Sequence, residues 1–226
     1  MADIKQLAGP QSRRRFLAVG GGSTALAAFL AACGSDSDSS STSTTTMSSG
    51  GGKSETAEFG KGDVGILNYA LTLEYLETAF YAEVVKSGLF KGADLATIRK
   101  FGQEEAEHVQ ALTQAVKSLG GKPAPEPKAE FPLKNAKSVL ELAGTVENLG
   151  AAAYLGQAGK IQSKDILAAA LSIHSVEARH AAALNELVGR GFGGGGGLKG
   201  SLPDGAFAKP MGMDAVLKAV KPFIAS

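Results

Sequence analysis

From Asp63 to Gly189 the apolar residues recur at intervals of three, four and seven, the spacing of an α-helix with one buried face. The first helix reads from Asp63 to a stop at Gly88, with Leu67, Leu71, Tyr81 and Val85 on one side. A second begins after Asp94, a good N-cap residue, and runs to Gly120-Gly121. A third covers roughly residues 136–158, and a fourth follows Ser163 and ends near Gly189. No stretch reads convincingly as a strand, so the expected fold class is all-α, a helical bundle.

The connections predict how the helices pair. Helices one and two are joined by a few residues, as are three and four, which makes each pair an antiparallel hairpin. The middle link, "GKPAPEPKAEFPLK", contains four prolines that favour an extended chain. At about 3.3 Å per residue such a link reaches roughly 46 Å, and a 25-residue helix is only about 37 Å long. It can run the length of the bundle, so the expectation is two hairpins joined by one long crossover. Beyond Gly189 comes a glycine-rich stretch and a short amphipathic tail, in which Val216, Leu217, Val220 and Phe223 could pack back on the bundle. The glycine run follows no strand and lacks a lysine-serine ending, so it does not read as a phosphate-binding loop.

The two hairpins repeat each other. Glu74 and Glu147 stand 73 residues apart, as do Tyr81 and Tyr154. Glu105 and Glu177 stand 72 apart, as do His108 and His180, and "EAEHVQAL" matches "EARHAAAL" in register. Each half thus has a Glu with a Tyr seven residues later on its first helix, and Glu-x-x-His on its second. All of these positions fall on the apolar stripes: Glu74 with Leu67 and Leu71, Glu105 and His108 with Ile98 and Leu112, Glu147 with Leu140 and Ala143, Glu177 and His180 with Ile173 and Leu184. Four carboxylates facing a core are costly unless paired or neutralised. Four carboxylates and two imidazoles converging from four helices are suited to two divalent cations, and this ligand type favours iron or manganese over thiolate-preferring metals. Glu77, among Leu73, Phe80 and Val84, is a rival to Glu74, although it aligns with Gly150 in the repeat. His174, whose counterpart is Gly102, is an open question beside Glu177.

Residues 63–190 resemble the ferritin-like family of di-iron and di-manganese carboxylate proteins. The phrases "LNYALTLEYLETAFY" and "VENLGAAAYLGQA" resemble in particular bacterial ferritin-like domains related to desiccation- and stress-associated proteins. The resemblance implies that Glu74, Glu105, His108, Glu147, Glu177 and His180 are metal ligands, with Glu105 and Glu147, or their mates, bridging two metals. It implies that Tyr81 and Tyr154 donate hydrogen bonds to ligating carboxylates.

Composition changes this picture mainly at the N-terminus. The chain has 226 residues, 44% of them hydrophobic, enough for one buried core. A net charge of +1 without a basic stripe argues against nucleic acid as a partner. Ser12-Arg13-Arg14-Arg15-Phe16-Leu17 resembles a twin-arginine export signal, and its apolar run of about 14 residues falls short of the roughly 20 needed to span a bilayer. Leu30-Ala31-Ala32-Cys33 resembles a lipoprotein cleavage box, which implies lipidation of Cys33, the only cysteine in the chain. Residues 34–56 are almost wholly Ser, Thr, Gly and Asp and read as a tether.

The expected organisation is therefore a signal peptide over residues 1–32, a tether over 33–57, a four-helix bundle over 58–190, and a glycine-rich segment with a short tail over 191–226. The expected place is the bacterial cell envelope, reached through the twin-arginine machinery, with Cys33 lipid-anchored and the domain in the periplasm. That machinery exports folded proteins, so metal could be loaded before translocation. Two metals in a bundle point to oxidant handling, with O₂ or peroxide as substrate in a ferroxidase, peroxidase or catalase-like reaction, and to an oligomeric state the sequence leaves open. The alternatives are a non-catalytic stress protein in which metal is structural or absent, and an envelope interaction module that uses the glycine-rich tail.

Overall fold

The structure is a computed structural model that describes residues 58–190 and 206–225. Arg13, Arg14, Cys33, the tether and the glycine run within 191–205 lie outside the described residues. Four long helices, α1 (Gly62–Ser87), α2 (Gly92–Ser118), α3 (Ala136–Ala158) and α4 (Lys164–Leu187), precede a short α5 (Met213–Val220) and a 3₁₀ turn (Lys221–Phe223). No strand occurs among the described residues; one isolated bridge joins Ala129 to Ile224.

Local chemistry sets most of the helix ends. Gly88 closes α1 at φ 71°, a left-handed conformation that glycine adopts without a Cβ penalty. Asn135 and Ser138 form a reciprocal capping box at the start of α3. At the start of α4, Ser163 Oγ accepts from the Ile166 N–H. The two Asp63 oxygens, on α1, accept from the backbone N–H groups of Gln162 and Ser163 at 2.9 Å each, which ties the start of one hairpin to the turn of the other. Asp94 is not the cap of α2. The helix begins at Gly92, and Asp94 sits inside its first turn, where a carboxylate favourably faces the positive end of the helix dipole.

The hairpins form as the short loops predict, α1 packing mainly on α2 and α3 on α4. Two apolar layers fill the bundle. One contains Leu67, Leu71, Leu112, Val116, Tyr154, Ile166 and Ile173. The other contains Phe80, Val84, Ile98, Val139, Leu140 and Leu184. Along all four helices Glu74, Glu105, His108, Glu147, Glu177 and His180 fall between these layers, in the middle of the bundle.

The crossover lies along α1. Asn68, almost fully buried, donates to the carbonyls of Phe59 and Lys122 at 2.9 and 3.0 Å and accepts from the Ala124 N–H at 2.8 Å. The tail docks on the face of α1 and α3 away from the central site, burying Met213, Val216 and Val220 against Tyr69, Leu73, Leu76 and Ala153. Leu217 and Phe223 pack at its edge. Backbone bonds from Glu130 to Phe223 and from Ala225 to Lys128, both 2.9 Å, join the tail to the crossover. Among the described residues no helix is long and apolar enough to cross a membrane.

Candidate metal centre

Each of the four long helices turns its Glu or Glu-x-x-His face inward, and the side chains meet. Glu74, Glu105, Glu147 and Glu177 are each 0% exposed and His180 is 3% exposed. His108 Nδ1 lies 2.9 Å from Glu105 Oε2, 3.1 Å from Glu74 Oε2 and 3.3 Å from Glu177 Oε1. His180 Nδ1 lies 2.8 Å from Glu105 Oε1 and 3.2 Å from Glu147 Oε2. One imidazole nitrogen carries one proton at most, yet three carboxylate oxygens from three helices crowd around that of His108. The set has the form of a cation's ligand shell more than that of a hydrogen-bond network. Glu177 Oε2 is fully buried without a hydrogen-bond donor, and Oε1 has only His108 Nδ1 at 3.3 Å.

The side chains fall into two overlapping groups, Glu74, Glu105, His108 and Glu177, and Glu105, Glu147, Glu177 and His180. Within each group one ligand atom per residue lies within 4.8 Å of all the others, so the cluster could hold a metal. Glu105 and Glu177 belong to both groups. Glu105 faces His108 with Oε2 and His180 with Oε1, so its two oxygens serve the two groups. The place between the groups is shared by Glu105 and its mate Glu177, and Glu147 stands at one end, a choice that the sequence left open. Glu147 and Glu74 sit at opposite ends because they come from the first helices of different hairpins.

The tyrosines cross between the hairpins. Tyr81 donates to Glu147 Oε1 and Tyr154 to Glu74 Oε1, so each end carboxylate is oriented by the hydroxyl of the opposite hairpin, not by the Tyr on its own helix. Glu104 accepts from His180 Nε2 at 2.7 Å and pairs with Lys100 at 2.8 Å. A carboxylate on the far nitrogen fixes the ring's orientation and leaves Nδ1 turned to the cluster. Phe101 stacks on the same imidazole with ring centroids 4.0 Å apart. Glu104 has no counterpart in the repeat, since position 176 is Val, and that is why the repeat did not point to it.

Burial and charge act together on the acids. Burial raises Glu74 to about 7 against the opposing pull of His108, and raises Glu147 to about 7 against that of His180. Glu177 is pushed well above the carboxylate range by burial and by the charges of Glu74, Glu105 and Glu147. Glu105 is the exception: burial would raise it, but hydrogen bonds with His108 and His180 outweigh burial and hold it down at about 2. Burial would lower both histidines, yet the surrounding carboxylates raise them, His180 to about 10 and His108 further. Without metal, protons supply the positive charge that the carboxylates require.

Two residues left open by the sequence separate cleanly. His174 is outside the cluster, its Nδ1–H donating to the Ala151 carbonyl at 2.9 Å. Glu77 is 2% exposed and lies against Glu177 beside Gly150.

No curated protein matches the chain. A family model described as a ferritin-like domain matches residues 62–190, the span from the first residue of α1 to just past the end of α4. With that match over more than half its length, and with four helices focused on a carboxylate–histidine cluster, the chain belongs to the ferritin-like domain family.

Proposed function

We propose that the cluster binds two divalent transition-metal ions, iron or manganese, and that the pair reacts with O₂ or peroxide in the cell envelope. The observation that carries this reading is the pair of overlapping three-carboxylate, one-histidine groups sharing Glu105 and Glu177. Hard oxygen ligands with one imidazole per site suit Fe and Mn. A metal pair of this kind supplies two electrons to an oxidant.

The protein's own part is to hold and to shield. Glu105 and Glu177 join the two halves, while Glu74 and Glu147 close the ends, each held by a tyrosine hydroxyl. The apolar layers on either side keep bulk water from the carboxylates. The chain would work from a lipid anchor at Cys33, after export directed by Arg13 and Arg14.

The test is metal content per chain by mass spectrometry, with protein purified from iron- and manganese-supplemented cells. The expected result is about two ions per chain, lost in a Glu105→Ala/Glu177→Ala variant. A folded wild-type chain without metal would end this reading. Peroxide turnover by the loaded protein then separates a redox centre from metal that only staples the helices together.

A further inference from the structure

We propose that Glu77 is a seventh side chain of the metal site, a fifth carboxylate that has room to reach the metals because position 150 carries no side chain. Glu77 stands one helical turn after Glu74, on the side of α1 that faces α3 and α4. It is 2% exposed, and its Oε2 has no hydrogen-bond partner. A Cβ built on Gly150 would lie 2.9 Å from Glu77 Oε1 and 2.5 Å from Glu177 Oε2. The two carboxylates therefore share the volume that any residue but glycine would fill. The charges acting most strongly on Glu77 are those of Glu177, Glu74, Glu105 and Glu147, all members of the cluster. The repeat sharpens the point, because Gly150 is the position 73 residues after Glu77. One hairpin contributes an extra acid and the other contributes the gap that receives it, so the site departs from two-fold symmetry here.

A buried, unpartnered carboxylate among four others is destabilising unless a cation meets it. Four carboxylates with neutral imidazoles balance two divalent ions. A fifth is balanced when the pair carries one more positive charge. Glu77 thus completes the ligand set and favours the oxidised pair over the reduced one.

This inference rests on the metal reading above, and the experiment separates the two. Mn(II) affinity is measured by chelator competition on the full chain, its Glu77→Gln variant and its Gly150→Ala variant, together with melting curves with and without Mn(II). Glu77→Gln is expected to bind Mn(II) about 10-fold more weakly or worse. It should also melt higher than wild type in the absence of metal, because a costly buried carboxylate has been removed. Gly150→Ala places a Cβ against both Glu77 and the shared Glu177 and should weaken binding further, while the metal-free melts show that each variant folds. Iron-loaded Glu77→Gln should show a reduction potential shifted upward. Wild type that binds Mn(II), with both variants binding as tightly, would overturn the role of Glu77 alone. Wild type that binds neither Mn(II) nor iron would overturn this inference and the metal reading together.

Discussion

Glu74 and Glu147 each have one oxygen turned to a histidine nitrogen and the other to a tyrosine hydroxyl from the opposite hairpin. Removing one hydroxyl leaves the carboxylate in place but free to rotate. Tyr154→Phe should therefore weaken metal binding about 10- to 100-fold while leaving the helical content unchanged, as read by metal titration alongside circular dichroism. The two histidines differ more than the repeat suggests. His180 is held from behind by Glu104 and stacked on Phe101, an arrangement with no counterpart in the other half. If the cluster holds two metals as proposed, Glu104→Gln, a change at a half-buried position, should weaken binding at the His180 group more than at the His108 group, splitting a titration into two steps. A single unaltered step would show that Glu104 does not orient the ring.

At the scale of elements, ends and docking faces decide stability. The capping box of α3 is exposed and local, so Asn135→Ala should cost about 1 kcal/mol and lower the melting temperature without touching metal affinity. The tail is held more tightly. A Cβ on Gly156 would lie 2.0 Å from the Met211 carbonyl oxygen, closer than atoms can approach, and that neighbour is backbone. Gly156→Ala should push the tail off α3, expose Met213, Val216 and Val220, and cost about 1–3 kcal/mol. Limited proteolysis would show it as faster cleavage near residue 211. The tail's docking was only partly legible in advance. Its amphipathic spacing marked Val216 and Val220 as buried, but the receiving face depends on a glycine 60 residues earlier in the chain.

For the whole molecule, the buried cluster should set the pH dependence of stability. In the metal-free protein Glu74 and Glu147 release their protons near 7 and His180 near 10, above the usual values for a carboxylate and an imidazole. Between those usual values and the shifted ones the folded chain holds more protons than the unfolded chain. Its stability must then fall as pH rises from about 5 toward 10. Glu105, held at about 2, acts oppositely and only at lower pH, where stability is lost as the acid protonates. The metal-free protein should melt highest near pH 5. Loading should reverse the trend, because metal displaces those protons and binds more tightly as they leave. Calorimetric melts at pH 5 and pH 8, with and without Mn(II), would show the crossing. The envelope placement is tested at the same scale: Cys33→Ser should move the chain from the membrane fraction to the soluble fraction, and replacing Arg13 and Arg14 by Lys should retain it in the cytoplasm.

By itself the sequence determined that there would be four long helices, where three of their four starts would fall, and which six side chains would face inward. Apolar periodicity is a local property of the chain, and a repeated Glu-x-x-His stands out wherever helices are read along one face. The family resemblance rested on those same residues, and the domain match over residues 62–190 agrees with it. The tertiary structure decided everything that depends on a partner from the other hairpin. It gave the place between the two groups to Glu105 and Glu177, crossed the tyrosines over to opposite carboxylates, and hung His180 on Glu104. It also brought Glu77 inside and left His174 on the Ala151 carbonyl. These outcomes turn on ångström-scale gaps between helices far apart in the chain, such as the space over Gly150. No periodicity along one helix records the size of a gap in another.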